Sequence, residues 1–320
     1  MASLRVPETV PSPEQDCERL HKAFAGFGTD EEAVIWVLGH RNANQRREII
    51  DTYQELYNKS LIDDLRSELS GDFRDAVILW TYDPPERDAK LARDALKKKK
   101  KTKGIEHLKV LVEIACASSS HHLMAVRQVY GSLFECSLEE DIASNLSLPL
   151  RKLLVGLVSS YRYDKQLVDS GVASSEALKL HEAIKTKQLD HNHVVSILST
   201  RNIFQLRETF ECYKQNYGSP IQQDIKSCGD GDSESLLTLV ITCIDTPEKH
   251  FAQVIKDSVV GLGTDEDSLN RAIVSRAEID MIKIREEYST LSKNSLEDDV
   301  KDDTSGDYRD FLLTLLGARF

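Results

Sequence analysis

HRNANQRREIIDTYQELYNKSLIDDLRSELSGDFRDAVILW, at residues 40–80, recurs without a gap as SRAEIDMIKIREEYSTLSKNSLEDDVKDDTSGDYRDFLLTL at residues 275–315. The matched residues are Arg41 and Arg276, Tyr53 and Tyr288, Leu61 and Leu296, Asp64 and Asp299, Gly71 and Gly306, Asp72 and Asp307, Arg74 and Arg309, and Asp75 and Asp310. Self-similarity at a fixed offset, here 235 residues, is typical of a protein built from structural repeats.

Two weaker copies of the same pattern lie between these stretches. An offset of 77 aligns Tyr130, Ser137, Leu138 and Asp141 with Tyr53, Ser60, Leu61 and Asp64. An offset of 160 aligns Arg201, Glu208, Tyr213, Asp224, Gly231 and Asp232 with Arg41, Glu48, Tyr53, Asp64, Gly71 and Asp72. We therefore predict four repeats, at residues 14–83, 87–160, 168–245 and 247–320.

Each repeat has the sequence pattern of helices. Ser12 to Gln15 has the form of a capping box with proline at the first helical position. Thr29 with Glu32 has the form of a capping box that opens a further helix, and Thr264 with Asp267 has a looser variant of the same form. An apolar stripe at helical spacing follows, formed by Ile49, Ile50, Tyr53, Leu56 and Tyr57. No stretch alternates as a half-buried strand does, so we predict an all-α fold with about five helices in each repeat.

Composition limits the location and partners of the chain. The formal net charge is −12, which repels nucleic acid and anionic membranes unless a cation lies between. The first ten residues, MASLRVPETV, lack the apolar centre of a secretory signal, and no apolar run approaches the roughly 18 residues of a membrane span. The six cysteines lack metal-type spacing. We therefore expect a cytoplasmic protein with reduced thiols and no nucleic-acid partner.

A glycine-rich phrase occurs near each end of the chain, GFGTDE at residues 26–31 and GLGTDE at residues 261–266. The phrase lacks the lysine of a nucleotide-binding P-loop, and no strand precedes it as a dinucleotide fingerprint requires. A loop of alternating glycines can instead turn backbone carbonyl oxygens toward one calcium ion, which takes about 6–8 oxygen ligands. Glu68 and Asp303 each stand 42 residues after the first glycine of a phrase and supply the acid that such a site needs.

The glycine phrase, the acid 42 residues later and four repeats of this length together resemble the annexin family over essentially the whole chain. The motif is intact at both ends and degenerate in the middle, which is similar to the plant members. The resemblance implies a curved disk of four repeats with calcium loops on its convex face. It implies two calcium sites, with ligands from Phe24, Gly26, Gly28 and Glu68, and from Val259, Gly261, Gly263 and Asp303. It also implies weaker secondary calcium positions at Thr29 with Glu31 and at Thr264 with Glu266.

The implied function is calcium-dependent binding to anionic phospholipid membranes. One carboxylate against a divalent ion leaves positive charge and coordination positions that a lipid phosphate can fill. Reversible recruitment from the cytoplasm would serve membrane traffic, repair, or calcium and stress signalling, without a catalytic centre. The family also offers three alternatives: a calcium-regulated ion conduit, a peroxidase using His40, and a nucleotide hydrolase using Asp303 to Gly306. Actin binding and self-association on membranes are further family properties.

The two middle repeats lack the calcium ligands. Lys103, Ile105 and Asn145 replace Gly26, Gly28 and Glu68 in the second repeat, and Thr186, Gln188 and Cys228 replace them in the third. Both loops are therefore predicted not to bind calcium. Lysines enrich these loops and are either membrane contacts or part of a solvated linker: Lys97, Lys98, Lys99, Lys100, Lys101, Lys103, Lys185 and Lys187.

Two further sets of residues have alternative interpretations. Phe27 and Leu262 lie between the glycines of the two phrases, where they either enter the membrane interface or pack onto their own repeat. Cys116 and Cys243 match a pair that lies close together in plant annexins. A redox role for this pair is the alternative to ordinary buried cysteines.

Overall fold

The computed structural model describes residues 1–26, 28–98, 105–229, 231–261 and 263–318, with the backbone alone at residue 98. Within these residues the chain forms helices and connecting turns, and no β-strand is present. The predicted all-α class is therefore confirmed. No helix within the described ranges is both long and apolar enough to cross a membrane.

Among the described residues, the α-helices form four groups of five, as predicted. The first group is α1 Pro13–Ala23, α2 Glu31–Leu38, α3 Ala43–Tyr57, α4 Leu61–Glu68 and α5 Gly71–Thr81. The second is α6 Pro84–Lys98, α7 Lys109–Cys116 after a 3-10 turn at Glu106–Leu108, α8 Ser120–Phe134, α9 Leu138–Asn145 and α10 Leu150–Val158. The third is α11 Ser170–Lys185, α12 Asn192–Thr200, α13 Ile203–Tyr217, α14 Ile221–Lys226 and α15 Asp232–Asp245. The fourth is α16 Pro247–Val259, α17 Glu266–Arg276, α18 Met281–Leu291, α19 Leu296–Asp303 and α20 Gly306–Leu315.

Side-chain caps fix several helix starts at the positions that the sequence marks. The capping box of α1 is confirmed, because Ser12 and Gln15 each bond the backbone N–H of the other. Ser60 caps α4, and the serines at the equivalent positions, Ser137 and Ser295, cap α9 and α19. These oxygens satisfy N–H groups that have no partner inside the helix.

One tyrosine–aspartate hydrogen bond ties the third helix of every repeat to the fourth. Tyr53 donates to Asp64 at 2.8 Å, Tyr213 to Asp224 at 2.8 Å, Tyr288 to Asp299 at 2.6 Å, and Tyr130 to Asp141. All four tyrosines are fully buried, and burial raises the pKa of each, so that the hydroxyl remains a donor. The residues aligned by the repeat offsets therefore make the same contact in each repeat.

The helices assemble into two compact units that do not follow chain order. One unit combines residues 1–87 with residues 248–320, and the other contains residues 88–247. In the first unit, α5 packs against both α17 and α20, and α2 packs against α20. The rings of Phe73 and Phe311 meet edge to face at 6.0 Å. In the second unit, one hydrophobic core includes residues of both middle repeats, and α7 packs against α15. The two repeats that carry the glycine phrases thus share one unit.

The first residues of the chain bind to the fourth repeat at a turn that requires glycine. The Ser3 hydroxyl donates to the Leu315 carbonyl at 2.6 Å, and the Ser3 N–H donates to Ala277 at 2.9 Å. Gly317 follows α20 with a φ of +74°, and a Cβ there would lie 2.4 Å from the Ser3 carbonyl oxygen. Both the backbone conformation and the close approach exclude a side chain.

We expect Gly317→Ala to lower the free energy of unfolding by roughly 1–3 kcal/mol, because alanine is strained at this φ and displaces the Ser3 backbone. The measurement is the thermal unfolding midpoint. Gly131→Ala is the control, since Gly131 lies within α8 and a Cβ there has nothing within 4 Å. That variant should match or exceed the parent, by up to about 1 kcal/mol. Equal stability of the two variants would contradict the role given to Gly317.

Candidate metal centre

The two glycine loops have backbone conformations that L side chains rarely adopt. Between α1 and α2, Gly26 has a φ of +111° and Gly28 of +90°. Between α16 and α17, Gly261 has a φ of +156° and Gly263 of +88°. A Cβ would meet nothing within 4 Å at any of the four. Backbone conformation, and not lack of space, therefore explains the glycines.

The carbonyl oxygens in these loops are not taken up by the rest of the described chain. The first loop is closed by a hydrogen bond from the Asp30 N–H to the Ala23 carbonyl at 3.0 Å, and the second by the equivalent bond from Asp265 to Ser258 at 2.9 Å. No hydrogen bond from a described residue reaches the carbonyls predicted as calcium ligands, those of Phe24, Gly26, Gly28, Val259, Gly261 and Gly263. These oxygens retain their capacity to bind a cation.

An acid from a later helix meets each loop. Glu68 is the last residue of α4, and the Thr29 hydroxyl lies 3.2 Å from its backbone carbonyl and 3.4 Å from Oε2. Asp303 is the last residue of α19, and the Thr264 hydroxyl lies 3.2 Å from its carbonyl and 2.6 Å from Oδ2. The fold thus brings each acid beside the glycine loop that stands 42 residues earlier.

The two threonines do not cap helices, so that prediction is wrong. Asp30 caps α2 by accepting from Ala33 N–H at 2.9 Å, and Asp265 caps α17 by accepting from Ser268 N–H at 3.2 Å. The hydroxyls of Thr29 and Thr264 bond Glu68 and Asp303 instead. The next residue in each loop, Asp30 or Asp265, therefore caps the helix, because its side chain does not bond Glu68 or Asp303.

The donor set fits calcium. Each loop offers carbonyl oxygens and one carboxylate, the hard oxygen ligands that calcium prefers. Glu68 is exposed and Asp303 is half-buried, so solvent reaches both acids. Within the described part of the chain, no three His, Cys, Asp or Glu side chains are grouped to hold a metal. A metal at these loops would therefore depend on backbone oxygens.

Three of the four residues of the predicted secondary positions, Glu31, Thr264 and Glu266, line one common cleft. Glu31 and Glu266 line a space of about 350 Å³ inside the first unit, together with Asp303. Asp72 and Asp307 also line it, and the sequence analysis did not assign them a site. The sequence feature that could have identified them is their repeated position directly after Gly71 and Gly306, at the starts of α5 and α20.

Only some of the predicted membrane-contact residues lie within the described part of the chain. Phe27, Leu262, Lys99, Lys100, Lys101 and Lys103 lie outside the described residues. Lys97 is exposed near the end of α6, which Lys98 completes, and Lys185 is exposed at the end of α11. Val260, which precedes the second glycine phrase, is 56% exposed. It is an apolar loop residue that the sequence analysis missed.

The degenerate loops use their substituted residues internally. Asn145, which replaces Glu68, donates to the Asp141 carbonyl and carboxylate at 2.9 and 3.0 Å. Thr186, which replaces Gly26, donates to the Glu182 carbonyl at 2.7 Å. The Lys187 ammonium donates to the Cys228 carbonyl at 3.2 Å. The absence of calcium binding in these loops stays a prediction.

All six cysteines lie within the described residues, and none forms a disulfide. Cys116 and Cys243 are buried on α7 and α15, which pack together. Burial raises the pKa of Cys116 to about 11, although the nearby Arg162 opposes the shift. The reactive form of a cysteine is the thiolate, so this environment disfavours the redox role.

His40 lies in the interior of the first unit and is 2% exposed. Its Nδ1 lies 3.0 Å from the Trp36 carbonyl oxygen, and burial lowers the pKa of the imidazole. His40 lines a cleft of about 390 Å³ together with the acidic residues Asp30, Glu32, Asp307 and Asp310 and the basic residue Arg19. The lining is acidic overall, with four carboxylates against Arg19, and this negative charge disfavours the propionates of a haem and with them the peroxidase alternative.

Comparisons with known proteins cover the whole chain. A sequence profile of the family described as Annexin matches residues 15–80, 87–157, 175–240 and 250–315. Annexin D3 of Arabidopsis thaliana is 58% identical over 320 residues, which is 100% of both chains. The solved structure of annexin III superposes with a TM-score of 0.90 at 32% identity, covering 100% of this chain and 98% of that chain. A structure of calcium-bound annexin (Sm)1 has a TM-score of 0.84 at 30% identity and covers 100% and 94% of the two chains.

Proposed function

The chain belongs to the annexin family and is of the plant type, and we propose that it binds anionic phospholipid membranes when calcium occupies its first and fourth repeats. The family is known for calcium-dependent phospholipid binding. One observation supports these two loops in particular: each combines carbonyls that no described residue uses with a carboxylate delivered by the end of a later helix.

In the proposed site, Phe24, Gly26, Gly28 and Glu68 hold the ion in the first repeat, and Val259, Gly261, Gly263 and Asp303 hold it in the fourth. When bound, calcium supplies positive charge and open coordination positions for a lipid phosphate. Each primary ligand set contributes a single formal negative charge, so that these ligands and the ion together remain positive. This local charge reversal lets a chain of net charge −12 approach an anionic surface.

The protein's own residues supply the remaining parts of the proposal. The Thr29 and Thr264 hydroxyls position the two acids. Glu31 and Glu266 form the weaker secondary positions at the shared cleft. Phe27, Val260 and Leu262 contribute apolar contacts at the membrane interface. The chain performs no catalytic step in this function, and calcium recruits it reversibly from the cytoplasm.

We expect two primary calcium ions per chain in a calorimetric titration with anionic vesicles. Because calcium and lipid phosphate share the site, each should raise the affinity for the other, typically by about 5- to 150-fold. The titration is repeated without vesicles and with neutral phosphatidylcholine vesicles, where calcium binding should be weak. An affinity that does not change with anionic lipid would refute calcium bridging.

A second contact, independent of calcium, is proposed for the basic residues of the middle repeats. Lys97 and Lys185 are exposed at helix ends, and Lys97 begins a run of five lysines. Juxtamembrane lysines contribute about 1 kcal/mol each against anionic lipid, and salt screens them.

A variant in which glutamine replaces the five lysines should show residual vesicle binding in EGTA that is weaker by at least about tenfold, because five positive charges near the membrane surface are lost. The substituted residues are Lys97, Lys98, Lys99, Lys100 and Lys101. Vesicle sedimentation at low and high salt measures the effect. The control neutralises five exposed lysines elsewhere, Lys179, Lys214, Lys249, Lys283 and Lys293. An equal loss in both variants would show that net charge matters and the position of the lysines does not.

A further inference from the structure

The third repeat keeps a cross-link that the two glycine loops also have, although it lacks their residues. In the first and fourth repeats a threonine hydroxyl donates to the backbone carbonyl of Glu68 or Asp303, at 3.2 Å in both. Cys228 occupies the equivalent position in the third repeat, and its carbonyl accepts from the Lys187 ammonium, also at 3.2 Å. The equivalent backbone carbonyl therefore accepts a hydrogen bond in all three repeats. The donor is a neutral threonine hydroxyl in the first and fourth repeats and a lysine ammonium in the third.

Lys187 reaches this carbonyl from an unexpected position. At the offset of 160 it aligns with Phe27, the residue between the two glycines of the phrase, whereas Leu189 aligns with Thr29. Leu189 is buried and has no hydroxyl to donate. Lys187 adopts a φ of +57°, and its side chain turns back to the residues after α14. Lys187 thus makes the hydrogen bond to the backbone carbonyl that a threonine makes in the other two loops.

Two of the three carbonyls that align with the proposed calcium ligands already have donors in this loop, those of Ile184 and Gln188, and the latter accepts from the His191 N–H at 3.1 Å. Ile184 aligns with Phe24, and its carbonyl accepts from the Lys187 N–H at 3.0 Å and from the Cys228 thiol at 3.4 Å. The Gln188 N–H bonds the Ala183 carbonyl at 2.8 Å, which closes the loop two residues earlier than in the first repeat. The third loop is therefore held by its own groups.

We propose that the Lys187 ammonium is a built-in cation that takes the place of calcium in the third repeat. It supplies a positive charge against carbonyl oxygen and fastens the loop to the residues after α14. Because the cation is covalently attached, the loop has the same conformation with and without calcium. The second unit then contains a loop formed in advance, and the calcium response is confined to the first unit.

Hydrogen exchange without lipid tests this proposal separately from membrane binding. In the parent protein, exchange in residues 183–190 should be equal in EGTA and in calcium. Lys187→Met should accelerate it about three- to tenfold, the effect of one lost hydrogen bond on local opening. Lys187→Arg should preserve protection, and Lys185→Met is the matched control. Slower exchange of this segment in calcium, or equal exchange in Lys187→Met and Lys185→Met, would overturn the proposal.

A second measurement tests the charge directly. Cys228→Glu places a carboxylate at the position of Glu68, within reach of the ammonium. The substitution should raise the unfolding midpoint by up to about 2 °C more in the parent than in the Lys187→Met background, the range of an exposed ion pair. The same change in both backgrounds would show that Lys187 does not act as a cation there.

Discussion

A protein that carries Glu68→Gln and Asp303→Asn is expected to lose calcium-dependent sedimentation with phosphatidylserine vesicles. The carboxylates are the only formal charges in the two proposed donor sets, and calcium affinity depends steeply on ligand charge. Each substitution should weaken its site by roughly 100-fold or more. Each single variant should therefore retain one calcium ion per chain in the titration, and the double variant none.

The fold should survive these changes because the substituted amides keep an oxygen in the same place. The hydrogen bonds from the Thr29 and Thr264 hydroxyls do not require a charged acceptor, since a side-chain amide oxygen also accepts them. The unfolding midpoint in EGTA should therefore stay close to that of the parent.

Asp63→Asn with Asp298→Asn is the matched control. These aspartates stand five residues before Glu68 and Asp303 on the same two helices, α4 and α19. The control removes the same charge from the same two repeats and should leave sedimentation unchanged. If the Glu68→Gln, Asp303→Asn protein sediments as the control does, the assignment of both sites is wrong.

The second large effect concerns stability, and it is expected for Arg41→Met. Arg41 is fully buried, and its Nε and Nη2 donate to the two carboxylate oxygens of Asp16 at 2.6 and 2.8 Å. Asp16 is only 3% exposed. Removing the guanidinium leaves a buried carboxylate without its counter-ion, which costs roughly 3–5 kcal/mol. The unfolding midpoint should fall by about 5–7 °C.

Two further variants separate this mechanism from a simple loss of packing. Arg41→Met combined with Asp16→Leu removes both charges and should recover most of the stability, as apolar replacements of buried ion pairs commonly do. Arg66→Met breaks the ion pair between Arg66 and Asp63, whose side chains are 52% and 70% exposed respectively. Because the pair is exposed, this change should shift the unfolding midpoint by less than about 2 °C. A double variant as unstable as Arg41→Met would show that the unpaired carboxylate is not the cause.

The contacts of Arg41 and its equivalents illustrate how far sequence comparison reaches. Arg201 aligns with Arg41 and pairs with Glu176, which aligns with Asp16. Arg276 also aligns, but Phe251 stands where an acid is needed, and Arg276 lies over that ring at 4.7 Å and pairs with Asp280 instead. Alignment predicted the arginine in all three repeats. Alignment predicted the partner of the arginine only where the residue aligned with Asp16 is also an acid, as Glu176 is.

The sequence by itself determined the helical repeats and the loops suited to calcium. Helical periodicity and the tyrosine–aspartate offset are local features that each repeat carries within its own residues, and so are the serine caps of the fourth helix in the first, second and fourth repeats. The glycines of the two phrases likewise reflect a local requirement for positive φ, which no tertiary contact imposes. The capping role given to Thr29 was wrong because its competing partner, Glu68, is 39 residues away.

Only the tertiary structure decided which repeats share a unit. The first and fourth repeats, related by an offset of 235 residues, form one compact unit, and the middle two form the other. An apolar stripe shows that a helix face is buried but does not identify the helix that covers it, since any apolar face of suitable shape can do so. For this reason the cleft shared by Glu31 and Glu266, and the return of Lys187 to Cys228, could not be found from the sequence.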